Sequence, residues 1–240
     1  MKLFMNVKGR LFLVPNTLGS EDIGKSIPQG IADSFENVSV IFVEHEKVAR
    51  RLLIQLGLKA HLDQFELVSM KQGINKDVGN KLTSTLNQGK DAAIISDAGC
   101  PAIADPGNEL VQIAHRIGAR VIPHSGPSSI LLALMASGFN GQQFAFHGYL
   151  SKDSSSRKNQ IRVLDKRVHQ NSQTQIFIET PYRNQHVFSD LLSECQKKTK
   201  ICLAVNLTME DEWIAVNDVE GWKKNRPDIQ KKQCIYLIYK

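Results

Sequence analysis

No stretch of the chain is apolar for long enough to cross a bilayer. The longest uninterrupted run, Ile130 to Ala136, falls far short of the roughly 20 residues that a spanning helix needs. Behind Lys2 only three apolar residues precede Asn6, and no small-residue cleavage site follows, so the reading is an unexported, cytoplasmic chain without membrane attachment. Cysteine is scarce. Cys100, Cys195, Cys202 and Cys234 stand too far apart for a Cys-x-x-Cys knuckle and are too few for a disulfide scaffold, which leaves reduced thiols packed as small apolar groups. The seven histidines show no His-Glu-x-x-His spacing, and no metal is expected. Three glycine signatures are also missing. Without Gly-x-Gly-x-x-Gly a nicotinamide dehydrogenase is disfavoured, without Gly-x4-Gly-Lys-Ser/Thr a P-loop phosphotransferase, and without Gly-x-Ser-x-Gly a serine hydrolase.

What the chain does have is an ordinary globular composition, 42% hydrophobic and 22% charged, over 240 residues, enough for two compact α/β domains. Near-continuous apolar runs at Leu11 to Val14, Val38 to Glu44, Ala92 to Ser96 and Ala119 to Ile122 suit strands buried on both faces. Helix-period segments alternate with them at Lys47 to Leu56, Asp77 to Gln88 and Asn108 to Ile117, closed by Gly57, Gly89 and Gly118. Such alternation predicts βαβ units and a parallel, Rossmann-like sheet. Pro123, Gly126 and Pro127 then break the pattern, and the predicted boundary separates residues 1–123 from 124–240. Ser128 is placed to cap a helix from Ile130 to Ala136 that Gly138 ends. Beyond it, strand-like runs at Phe144 to His147, Thr174 to Glu179, Ile201 to Asn206, Trp213 to Val216 and Cys234 to Tyr239, with fewer helices, predict a mixed sheet.

Charge is unevenly shared. Residues 1–150 carry 14 basic and 13 acidic side chains, residues 151–240 carry 16 and 11. On a helix through 151–170, Ile161, Leu164 and Val168 would face inward and Lys158, Arg162 and Lys166 would form an outer stripe, a candidate nucleic-acid-binding face or else a solvated one.

The loop from Ser96 to Gly107 carries the chemical signal. It leaves a buried strand at its carboxyl end, where open α/β sheets bind ligands, and small residues beside Asp97 allow close backbone approach to a hydrogen-bonded ligand. Two prolines and two aspartates in twelve residues exceed the needs of a connection. The segment Ile94-Ile95-Ser96-Asp97-Ala98-Gly99-Cys100-Pro101-Ala102-Ile103-Ala104-Asp105-Pro106-Gly107 resembles the central signature of the tetrapyrrole methylase superfamily, in particular its ribosomal RNA ribose 2′-O-methyltransferase branch. Gly9 to Val14, Gly126-Pro127-Ser128-Ser129, Phe144 to Leu150 and Glu179-Thr180-Pro181-Tyr182-Arg183 resemble four more segments of that family in order. Three places depart from the RNA-methylating pattern: Pro15 to Ser20, Glu44-His45-Glu46-Lys47 where relatives read Glu-Asp-Thr-Arg, and Val205 to Met209.

The resemblance implies a two-domain α/β tetrapyrrole methylase fold, a parallel-sheet domain followed by a mixed-sheet one, and S-adenosyl-L-methionine as cofactor in the cleft between them. By position it implies Asp97, Ala98, Gly99, Ile103, Ser128 and Ser129 as cofactor-binding residues, with Pro15, Leu18, Phe177 and Val205 as further walls. Asp105, Glu179 and Arg183 become the acid–base candidates, with His45 behind them and a structural ion pair as the competing role for Glu179 and Arg183. The implied activity is methylation of a ribose 2′-hydroxyl in ribosomal RNA by a homodimer. The alternatives are C-methylation of a small anionic, tetrapyrrole-like substrate and a non-catalytic cofactor-binding regulator.

Overall fold

The computed structural model describes residues 8–240, so the amino-terminal reading from Lys2 to Asn6 lies outside the described residues. The chain divides into two compact units, Met1–Pro127 and Ser128–Lys240. The sequence reading drew the line at 123/124.

In the first unit five strands, β1 (Arg10–Val14), β2 (Val38–Val43), β3 (Glu66–Ser69), β4 (Asp91–Ile95) and β5 (Arg120–Pro123), form an all-parallel sheet in the order β3-β2-β4-β1-β5. Alternation along the strands sends successive residues to opposite faces. Phe12, Val14, Ile41, Val43, Ala93 and Ile95 pack with Leu52 and Leu53 of α1 (Glu46–Gln55). Leu11, Val40, Phe42, Ala92 and Ile94 pack with Leu82 and Leu86 of α2 (Lys76–Asn87) and Leu110 of α3 (Asn108–Arg116). Every residue of β4 is buried, as a central parallel strand with both faces covered requires.

At the amino end of β4 the Asp91 side chain is almost wholly buried. It accepts from Arg10 N at 2.6 Å, Arg10 Nε at 3.1 Å and Arg10 Nη2 at 2.7 Å, and the side-chain bonds raise the guanidinium pKa above its usual value. Near the end of β1, His124 lies over Phe12 with ring centroids 5.6 Å apart and meets Ser34 Oγ at 2.9 Å. Burial lowers the His124 pKa below its usual 6.5. Below that value the unfolded chain takes up a proton that the folded unit resists. The stability due to neutral His124 is therefore complete above about pH 6.5 and lost as the pH falls from there toward the folded value. Thermal unfolding of wild type and His124→Gln at pH 7.5 and pH 5.5 should show the smaller acid-induced drop in the variant; equal drops would contradict it.

The second unit carries a mixed sheet, ordered β6-β7-β10-β8-β9, of β6 (Phe144–Tyr149), β7 (Thr174–Glu179), β8 (Lys200–Val205), β9 (Trp213–Asp218) and β10 (Cys234–Tyr239). Only β6 and β7 run parallel; the other pairs are antiparallel. One face packs on α5 (Ser154–Asn171), α6 (Asn184–Glu194) and α7 (Val219–Lys224), and α4 (Ser129–Ser137) packs against β9 and β10. Ser128 holds the N-cap position of α4, but its side chain makes no capping hydrogen bond; Gly138 ends the helix in the left-handed region.

All four cysteines are free. Cys195, Cys202 and Cys234 are buried, and burial pushes the latter two thiols up to about 12. Among the described residues no helix is long and apolar enough to cross a membrane.

Candidate functional site

The carboxyl ends of β2, β4 and β1 lie side by side, so the segments that follow them form one row of loops. Asn16 and Gly99 exchange backbone hydrogen bonds of 2.9 and 3.0 Å, joining the loop after β1 to the loop after β4. The buried Asn16 side chain strengthens the join, donating to the carbonyls of Ser96 and Asp97 at 3.2 Å each and accepting from Thr17 N at 2.8 Å. Gly126 closes the group from a third side. A Cβ there would sit 2.3 Å from Pro15, so only glycine permits the approach.

The loop after β4 has an unusual backbone. Ala102 and Ala104 hold φ of 62° and 59°, in the left-handed region where alanine is disfavoured by roughly 1–2 kcal/mol, and Gly99 and Gly107 are also at positive φ. Strain of this kind persists where surrounding structure dictates it and collects at ligand sites. Between the two alanines Ile103 is 53% exposed, an apolar side chain held out at the strand ends.

Two carboxylates sit in this row. Asp105 meets Ser96 Oγ, which is also 2.8 Å from the Ala98 carbonyl oxygen. A hydroxyl has one proton for these two acceptors. Burial raises the Asp105 pKa, the Ser96 hydrogen bond opposes the rise, and the charge of Asp97 adds to it. Asp97 faces the end of β2. Its Oδ2 lies 2.5 Å from His45 Nδ1, and its Oδ1 accepts from His45 N at 3.3 Å. Glu44 joins them: Glu44, His45 and Asp97 each bring a ligand-type atom within 4.8 Å of the others.

Of the sequence-derived residues, Pro15, Leu18, Asp97, Ala98, Gly99, Ile103 and Asp105 thus fall in one place in the first unit. The remaining ones belong to the second unit. Ser128 and Ser129 begin α4. Phe177 and Val205 are buried core residues, Phe177 stacked on Tyr236 with centroids 5.4 Å apart. Glu179 and Arg183 form an ion pair at 2.9 Å, and Arg183 also donates to the Ser151 carbonyl at 2.9 Å, tying the end of β7 to the chain after β6. The stripe on α5 is largely neutralised. Arg162 Nε is 2.6 Å from Glu194, Lys158 lies 3.8 Å from Asp190 and 3.9 Å from Glu194, and Lys166 is exposed with no ion pair among the described residues. Asn16 was missed by sequence reasoning; a lone amide just after an apolar strand was its only signal.

The family model for tetrapyrrole (corrin/porphyrin) methylases matches residues 27–221. The chain belongs to the tetrapyrrole methylase family. Among its curated relatives, the ribosomal RNA small subunit methyltransferase I of Bacillus subtilis (strain 168) is 31% identical over 234 residues, covering 95% of this chain and 75% of the relative. The protein of the same name from Vibrio cholerae is 30% identical over 232 residues, covering 95% and 76%. Among solved structures, the methyltransferase CobJ superposes with a TM-score of 0.64 at 16% identity, covering 96% of this chain and 94% of that one. Uroporphyrin-III C-methyl transferase from Thermus thermophilus, complexed with S-adenosyl homocysteine, gives 0.58 at 14% identity, covering 97% and 98%. The solved structures bear out the two-domain α/β fold expected from the sequence, and family and relatives make the chain a methyltransferase.

Proposed function

We propose that this protein transfers a methyl group from S-adenosylmethionine to a ribose hydroxyl of ribosomal RNA, in the cytoplasm and as a homodimer. The observation that carries the cofactor reading is the strained loop after β4, which holds Asp97 and the exposed Ile103 at the carboxyl end of the most buried strand. The residues suit a sulfonium nucleoside. Asp97 keeps acceptor sites beyond the two that His45 uses, for hydroxyl or ammonium donors, and Ile103 and Ala98 offer apolar surface. The cofactor supplies an already electrophilic methyl group; the chain's own contribution is alignment and exclusion of water. In support, a structural neighbour carries S-adenosyl homocysteine, and the curated relatives are named for ribosomal RNA.

The RNA reading gains from a second basic surface. Along the outer side of α1, Lys47 and Arg50 are exposed and without an ion pair among the described residues, beside Arg51, which pairs with Glu21 at 3.0 Å. These cations flank the strand ends and suit phosphate contacts that position RNA without reading its sequence. The homodimer reading rests on α4, where Leu131 and Met135 are 52% and 77% exposed.

Calorimetry tests the cofactor assignment. S-adenosyl homocysteine should bind, and Asp97→Ala should weaken it by about 1–3 kcal/mol through lost charge-assisted hydrogen bonds. No heat with folded wild-type protein would sink the assignment. Transfer of labelled methyl to RNA from cells lacking the gene tests the substrate.

A further inference from the structure

An O-methyl transfer to a hydroxyl must dispose of a proton, and the row of strand ends holds one group arranged to accept it. His45 lies at the N-cap of α1, its side chain 45% exposed, with Nδ1 2.5 Å from Asp97 Oδ2. The His45 backbone N–H holds the other carboxylate oxygen at 3.3 Å, so both oxygens of Asp97 are fixed by one residue. A carboxylate on Nδ1 selects the tautomer with the proton there, which leaves the Nε2 lone pair free to accept. Nε2 has no hydrogen-bond partner among the described residues. The fixed ring, the carboxylate behind it and the open nitrogen in front are the parts that a general base needs.

We propose that His45 is the general base of the methyl transfer and Asp97 its positioning residue; this rests on the hydroxyl acceptor proposed above. As the acceptor oxygen forms its bond to the methyl carbon, the carbon–sulfur bond breaks with its electron pair going to sulfur. The O–H proton passes to His45 Nε2. The imidazolium so formed is stabilised by Asp97 and returns its proton to solvent through the exposed edge of the ring. The other ionisable groups around the dyad are Glu44, within 4.8 Å, and Asp105, whose charge is coupled to that of Asp97. Both are carboxylates and favour the protonated ring once it forms.

Two readouts test this on the whole 240-residue chain. Nitrogen-15 NMR of labelled histidine should find neutral His45 protonated on Nδ1, and Asp97→Asn should change its tautomer balance. The second readout is methyl transfer to RNA from cells lacking the gene, followed against pH. Activity of the wild type should fall on acidification, because a base must be neutral to accept the proton. His45→Ala should lose about 100-fold or more in kcat, lose that acid limb, keep its affinity for S-adenosyl homocysteine within about threefold, and regain activity with added imidazole. If His45→Ala keeps wild-type kcat and pH profile while the wild type methylates RNA, the base assignment is overturned and the RNA reading stands. A wild type that binds the cofactor product but methylates no RNA overturns the hydroxyl acceptor and the base role with it. An Nε2-protonated ring in the wild type also refutes the dyad.

Discussion

Replacing Asp190 by alanine should destabilise the second unit by about 3–5 kcal/mol, because it strands a buried guanidinium. Arg157 on α5 has a side chain only 7% exposed, and its Nε and Nη2 both lie 2.7 Å from Asp190 Oδ2 on α6. The remaining arm, Nη1, donates to the carbonyls of Ser151 and Lys152 at 3.2 and 3.1 Å. The pair therefore holds two helices and the preceding loop through one desolvated cation. Removing only the acid leaves that cation unpaired where water does not reach, while Arg157→Met with Asp190→Leu removes both charges and should recover most of the loss. Arg162→Ala serves as the comparison. Its ion pair with Glu194 has the arginine side chain 59% exposed, and exposed pairs contribute at most about 1 kcal/mol. Urea unfolding of the four proteins would decide the matter, and a loss below about 1 kcal/mol for Asp190→Ala would refute the buried-cation account.

Arg157 also marks a limit of sequence reading. It is one more cation beside Lys158, Arg162 and Lys166, yet the spacing 157, 161, 164, 165, 168 places it on the buried stripe of α5 with Ile161, Leu164, Asp165 and Val168. The face was legible and the partners were not. Asp190 lies 33 residues downstream, and Asp165 is satisfied by Thr199 at 2.5 Å and by Gln196 at 3.1 Å. The same long-range acids, Asp190 and Glu194, neutralise two of the three residues read as an RNA stripe.

Long periodic elements were readable for a physical reason: β2, β4, α2 and α3 fill a core, and their apolar repeats are the imprint of it. Elements of a few residues left no such imprint. β3 is four residues at the sheet edge with only Leu67 and Val68 half-buried, and its strand character comes from pairing with β2. α7, six residues behind the capping Asp218, is too short to show a helical period. The 3-10 segments Ile23–Lys25, Ile31–Phe35 and Lys59–Gln64 went unread for the same reason. In the candidate site the loop after β4 announced itself by its proline, glycine and aspartate content. Its lateral ties to Asn16, His45 and Gly126 come from residues that are neighbours only once the parallel sheet has formed.

The parallel sheet also separates what its two ends do, and Arg10→Ala tests that separation. The substitution leaves Asp91, side chain 2% exposed, with a buried charge and only the backbone N–H of residue 10 to satisfy it. A buried carboxylate deprived of its cation should cost about 3 kcal/mol or more, concentrated in the first unit. Yet Asp91 opens β4 and Asp97 follows its end, so the strand residues Ala92 to Ile95, rising roughly 3.3 Å each, lie between the lost ion pair and the proposed cofactor loop. Below its lowered unfolding midpoint Arg10→Ala should therefore bind S-adenosyl homocysteine as the wild type does. Asp97→Ala should show the reverse pattern, weakened binding with little loss of stability, since its side chain is 28% exposed and its one partner, His45, can turn to water. Calorimetric titrations and urea unfolding on both variants give the four numbers needed. Should folded Arg10→Ala lose cofactor affinity as severely as Asp97→Ala, the two ends of β4 are coupled and the assignment of binding to the carboxyl-end loops alone is wrong.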